Sequence, residues 1–223
     1  MAEPTVAQLV QLAMHPQVVA IGETGLDYYR MPAAELDWQR ERFRVHIRAA
    51  REAGKPLIIH TRAAAEDTMR LLREEGAGAA GGVMHCFTED WEIARQALDI
   101  GFYISMSGIV SFKKATTVHE VARRVPADRL LIETDSPFLA PVPYRGKQNQ
   151  PGWVAHVAEA VAAMPLHMGL DPDRPTFTVD GADVSTAIRD PHIATIVSKV
   201  ATNLEVRAEL ARRQREIIRF EAT

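Results

Sequence analysis

The feature that most limits what this chain can fold into is an alternation. Five short aliphatic runs, "VVAIG" (18–22), "PLIIH" (56–60), "GGVMHCF" (81–87), "GFYISMSG" (101–108) and "RLLIETDSP" (129–137), are separated by segments with helical spacing. Val6, Leu9, Val10 and Ala13 share one face of a helix that stops near Pro16. A long helix is predicted over 34–53, with Leu36, Phe43 and Ile47 inward and Gly54 as its stop. Asp67, Met69, Leu71 and Leu72 lie on the next helix. Further helices are expected at 88–98, with Thr88 as N-cap, at 115–125 and at 151–164. Continuous apolar strands taking turns with amphipathic helices argue for a parallel sheet covered by helices. A (β/α) barrel and an open doubly wound sheet both fit. No G-x-G-x-x-G follows the first strand, which removes the usual signature of a dinucleotide-binding sheet.

Bulk properties narrow the class. The formal net charge of −3 points to no extended polyanion-binding surface, although a local basic loop remains able to hold phosphate. A single cysteine, Cys86, excludes an internal disulfide framework and suits a reducing compartment. No apolar stretch approaches the roughly 18 residues that a membrane helix needs, and the first residues lack a basic and then apolar leader. A cytoplasmic protein is expected.

The strands end alike. "AIGETGLD" places Glu23 just past its strand, "PLIIHTR" places His60, "GVMHCF" places His85, and "LLIETDSP" places Glu133 and Asp135. In parallel α/β folds the C-terminal ends of the strands lie on one face, where sites are built. One such histidine is most simply a hydrogen-bonded core residue. Two histidines and at least two carboxylates converging from four strands point instead to a divalent metal with mixed nitrogen and oxygen ligands. The remaining histidines fall on helices or loops without a converging partner. Arg62 and the loop Arg145–Gly146–Lys147 are candidates for holding phosphate, against a reading as solvated loop. Tyr28, Tyr29 and Phe112 are read as rim or buried aromatics before base-stacking ones, and Cys86 as core.

"AIGETGLDYYR", "PLIIHTR", "GVMHCFT", "GFYISMSGIVSFK" and "LLIETDSPFLAPVPYRGKQNQP" resemble the TatD family of metal-dependent deoxyribonucleases and related hydrolases, over about residues 5–163. The resemblance implies a TIM-like barrel, one or two divalent ions (Zn, Mg or Mn) and hydrolysis of a phosphodiester, typically in DNA. It further implies that Glu23 bridges two metals, that His60 and His85 complete one site, and that Asp135 ligates the other and serves as general base.

Two departures accompany it. The family opens on a strand carrying His-x-His, and no two histidines of this chain are separated by one residue. The expected fold is therefore an α/β, incomplete TIM-like barrel lacking the first two strand–helix units, with a mostly helical C-terminal appendage. The family pattern stops near residue 164. Beyond it, "VDGADVSTAIRDP" and "VSKVATNLEVRAELARRQREI" resemble the monophosphate-binding part of bacterial cytidylate kinases over about residues 171–217, which implies that Arg189, Ser198 and Arg207 help hold a nucleotide. "TFTVDG" reads as a strand entering a turn, with a helix or two after it. No G-x-x-x-x-G-K-[ST] occurs to cradle a triphosphate. The expected domains are 1–164, hydrolase-like, and 165–223, kinase-like. The expected function is metal-dependent phosphodiester hydrolysis, impaired by the lost His-x-His. The alternatives are a metal- or nucleotide-binding fusion fragment without turnover, and a kinase-related fragment without kinase activity.

Overall fold

The structure, a computed structural model, describes residues 3–31, 36–164, 178–179 and 182–183. The chain divides into two compact units, Met1–Met164 and Pro165–Thr223. In the first, helices α1 (Val6–Ala13), α2 (Asp37–Ala53), α3 (Ala65–Glu74), α4 (Trp91–Asp99), α5 (Thr116–Arg124) and α6 (Val154–Ala162) alternate with strands β1 (Ile21–Asp27), β2 (Leu57–Arg62), β3 (Gly82–Met84), β4 (Tyr103–Met106) and β5 (Leu130–Ile132). The strands pair in parallel in the order β1-β2-β3-β4-β5. Consecutive parallel neighbours joined through helices give the barrel-type winding, since a doubly wound sheet reverses its strand order.

The strands alternate as a pleat requires. Leu57 and Ile59 of β2 and Ile104 and Met106 of β4 are fully buried towards the helices. Ile58 and His60, and Tyr103 and Ser105, occupy the other positions. The core is completed by Phe43, Ile47 and Ala50 of α2, Met69, Leu71 and Leu72 of α3, and Phe102 and Val121. Each large side chain fully buried there contributes roughly 1.5–3 kcal/mol of transfer free energy.

Helix ends follow local chemistry. Thr5 and Gln8 form a reciprocal capping box that starts α1. Gly54 ends α2 in the left-handed conformation, at φ 62°, and its N–H reaches back to Ala50 and Arg51. Asp90, not Thr88, caps α4: its Oδ1 accepts from Ile93 N at 3.0 Å. Aspartate two residues nearer the first apolar turn takes the position. The run 81–87 is a strand only over 82–84, because Cys86 turns the chain with φ 44°. His85 and Cys86 therefore leave the pleat, and the alternation expected to bury Cys86 lapses. Its thiol is half-buried against the Ser107 hydroxyl, and burial pushes its pKa up to about 12.

In the second unit, β6 (Thr178–Val179) pairs antiparallel with β7 (Ala182–Asp183), within and just after the expected strand and turn. The expected C-terminal helices lie outside the described residues. Among the described residues, no helix is long and apolar enough to cross a membrane.

Candidate metal centre

Register brings the strand ends together. Gly25 of β1 lies opposite His60 of β2, and Ile59 lies opposite Met84 of β3. His85 N donates to Ile59 O at 2.9 Å, and Glu133 N donates to Met106 O at 2.9 Å. His85 and Glu133 are thus fixed by backbone bonds at their own residues, and His60 by its pairing with Gly25. Gly25 is required where it stands. With φ 145° it lets the two backbones close, and a Cβ there would overlap the His60 carbonyl oxygen.

Glu23 is central. Its Oε1 lies 3.0 Å from His60 Nδ1, and its Oε2 lies 3.9 Å from His85 Nε2. His85 Nε2 is also 3.4 Å from Asp135 Oδ1. Asp135 adopts φ 57°, a left-handed conformation that aspartate tolerates better than most residues. Two donors each ~2.1 Å from one ion at a tetrahedral angle stand about 3.4 Å apart. Glu23 thus touches both histidines, while the group among the described residues whose ligand atoms all lie within 4.8 Å of one another is His85, Glu133 and Asp135, with Glu23 and His60 bordering it.

Two further carboxylates lie beside these four: Glu133, which the sequence placed at its strand end without a ligand role, and Asp27, which it did not single out. His85 Nδ1 donates to Glu133 Oε2 at 2.8 Å, and Ser105 Oγ donates to the same oxygen at 2.7 Å. Glu133 Oε1 is buried without a hydrogen-bond partner. Glu133, His85 and Asp135 offer ligand atoms within 4.8 Å of one another, so that oxygen is a further candidate donor. An orphaned carboxylate oxygen beside imidazole is what a site shaped for a cation leaves when bare. The second is Asp27, whose Oδ2 lies 3.4 Å from His60 Nε2. Its signal was the pleat, since Glu23, Gly25 and Asp27 alternate with the buried Thr24 and Leu26.

The electrostatics follow from this crowding. The Glu133 hydrogen bond raises the His85 pKa, with help from Glu23 and Asp135 and against burial. Burial raises the Asp135 pKa, as do Glu133 and Glu23, against the attraction of His85.

Arg62 stands on the rim, its guanidinium 3.8 Å from the Tyr29 ring centroid and 3.9 Å from Asp27 Oδ2. Arg30 lies 4.8 Å from the same ring. Arg145 stacks on Phe112 and Lys147 on Tyr144, in the loop after β5. The Tyr28 hydroxyl donates to Asp67 at 2.7 Å and accepts from Arg40 at 2.9 Å. A cleft of 520 Å³ opens beside Glu23 and His60, walled by Trp38, Arg42 and His46. Arg189, Ser198 and Arg207 lie outside the described residues.

Comparison with known proteins agrees with this architecture. Residues 1–172 match the family model for TatD related DNase, and residues 149–223 match that for cytidylate kinase. The chain is 56% identical over 159 residues to the uncharacterized metal-dependent hydrolase YcfH of Escherichia coli K12, covering 71% of this chain and 60% of that protein. It is 49% identical over 164 residues to YabD of Bacillus subtilis, another uncharacterized metal-dependent hydrolase (74% and 64%). It is 33% identical over 166 residues to a protein of Klebsiella pneumoniae named 3'-5' ssDNA/RNA exonuclease TatD (72% and 63%). The chain thus spans about 60% of the length of these curated relatives. Among solved structures, the TatD homolog YJJV of E. coli superposes with a TM-score of 0.66 at 26% identity, covering 71% of this chain and 61% of that one. With a family model matched over most of its length, this chain belongs to the TatD related DNase family.

Proposed function

We propose that the centre formed by Glu23, His60, His85 and Asp135 hydrolyses phosphodiesters of nucleic acids in a divalent-metal-dependent reaction. The observation that carries the reading is the continuous chain of contacts from His60 through Glu23 to His85 and Asp135, spaced at 3.0–3.9 Å. The name of the Klebsiella relative, an exonuclease on single-stranded DNA and RNA, supports the substrate class. When bound, a divalent ion supplies polarisation of a phosphoryl oxygen and a lowered pKa for a water it holds, towards about 7.

The chain's own residues supply the rest. Glu23, His60 and His85 hold the ion with one carboxylate and two imidazoles, which leaves an open position. Asp135, 3.4 Å from His85 Nε2, is placed to take the proton of the attacking water. Arg62 contacts a substrate phosphate, with Arg30 beside it across Tyr29, and Arg145 and Lys147 contact phosphates further along the strand. Asp135 and Glu133, together with Glu23, are the carboxylates of the described residues that would border a second ion. The hydrolase unit is 1–164. Residues 165–223 form a separate cytidylate-kinase-like segment in which Arg189, Ser198 and Arg207 contact nucleotide without phosphoryl transfer.

The test uses chelator-treated protein with a chromogenic phosphodiester and end-labelled single-stranded DNA. Hydrolysis should return on adding Zn, Mn or Mg and should disappear in His85→Ala. Equal hydrolysis with and without metal would overturn the proposal.

A further inference from the structure

His60 has a carboxylate at each ring nitrogen, Glu23 at Nδ1 (3.0 Å) and Asp27 at Nε2 (3.4 Å). Only one nitrogen of a neutral imidazole keeps a lone pair for a metal, and the partner of the other decides which. Asp27 is immobilised more completely than its half-exposed position requires. Its Oδ1 accepts from Tyr29 N at 2.9 Å, closing a local turn. Its backbone N–H donates to Gln39 Oε1 at 2.9 Å, and its carbonyl accepts from Gln39 Nε2 at 2.9 Å. Gln39 is 8% exposed and sits in the buried stripe of α2 with Phe43, Ile47 and Ala50. A polar side chain in that stripe costs free energy unless it is fully paired, and both ends of its amide are spent on this one residue. That leaves Asp27 Oδ2, which faces His60 Nε2 at 3.4 Å and the Arg62 guanidinium at 3.9 Å.

We infer that Asp27, clamped by Gln39, is a positioning residue that holds the proton of His60 on Nε2 and so presents Nδ1, beside Glu23, as the metal-binding nitrogen. His85 is the mirror case. There Glu133 takes the Nδ1 proton and Nε2 faces Glu23 and Asp135. The two imidazoles therefore offer opposite nitrogens to one carboxylate. The inference rests on the metal-centre reading above and extends it to a residue and a helix outside the ligand set. Partners of this kind typically change metal affinity by about 10–100-fold when removed.

The experiment uses the full chain with nitrogen-labelled histidines. In the metal-free protein, long-range imidazole NMR correlations should show His60 protonated on Nε2 and His85 on Nδ1. With an NMR-active cadmium isotope, coupling should appear at Nδ1 of His60 and at Nε2 of His85. Asp27→Ala should weaken cadmium binding by about 10-fold or more and mix the His60 tautomers. Asp27→Asn, whose oxygen still accepts, should recover most of that loss. Gln39→Glu, which keeps the shape but loses the donor to the Asp27 carbonyl, should fall between the two. A His60 proton on Nδ1, metal coupling through its Nε2, or an Asp27→Ala affinity within about threefold of the parent would overturn the inference while leaving the hydrolase reading intact. A parent protein that takes up no cadmium would overturn that reading, and with it the ligand role given to His60.

Discussion

Asp135 and His85 face each other at 3.4 Å, yet they answer to different neighbours. Glu133 holds His85, whereas Asp135 stands on a left-handed turn with its carboxylate directed at the imidazole. Asp135→Asn should therefore lower kcat by about 100-fold or more while metal content falls much less, as read by turnover alongside metal analysis of the same sample. Away from the centre, Asp67 contributes to the pH dependence of stability. Hydrogen bonds from Tyr28 and then Arg70 hold its pKa at about 2, against an ordinary 3.8. The folded protein thus binds this proton less readily than the unfolded chain. The stabilisation is complete above about pH 5 and is lost as pH falls through about 2. With 24% of the side chain in solvent, it is worth about 1–2 kcal/mol. Asp67→Asn should lose that amount at pH 7 in urea denaturation, and the gap from the parent should close in acid. At this scale the convergence of His60, His85 and Asp135 around Glu23 was legible because each lies at the end of an aliphatic run. The parts played by Asp27 and Glu133 were not, because they depend on which nitrogen of a histidine on another strand they meet.

Among the elements, β1 and β2 carry the site and depend on Gly25. Gly25→Ala would press a methyl group into the His60 carbonyl. The strands must separate there, so the variant should lose metal affinity by about 10-fold and stability by about 1–3 kcal/mol, read by calorimetric titration and thermal melting. Phe43→Ala should cost about 3–5 kcal/mol by leaving a cavity under β1, without changing metal stoichiometry. Helix and strand identity was legible from periodicity in the first unit, as α2 and β2 show. Boundaries were not. Thr88 reads as a cap as well as Asp90 does until the turn is built, and "GVMHCF" reads as strand until Cys86 bends it. A left-handed residue other than glycine leaves no mark in a hydrophobic pattern.

For the whole molecule, the ligand count is the decisive property. On the reading proposed above, Glu23, His60 and His85 would hold one ion, with Asp135 and Glu133 beside His85. Titrating metal-free protein should show one tight divalent ion per chain, with any second ion removed by dialysis. Truncation after Met164 should leave that affinity within about threefold, since all the candidate ligands lie in the first unit. The alternation alone fitted a barrel and a doubly wound sheet alike, and the barrel-type winding came from the family resemblance and then from the strand order. How the ends of the sheet are covered was not legible, because edges are closed by contacts distant in sequence. At one of those edges the Gln39 amide has another effect. It occupies the outward N–H and carbonyl of Asp27, so a foreign strand adding itself to β1 finds its hydrogen-bonding track cut short at the end nearest the metal centre. A short track makes a poor template. The Gln39 amide therefore leaves fewer free backbone groups at that end of β1 for another strand to pair with.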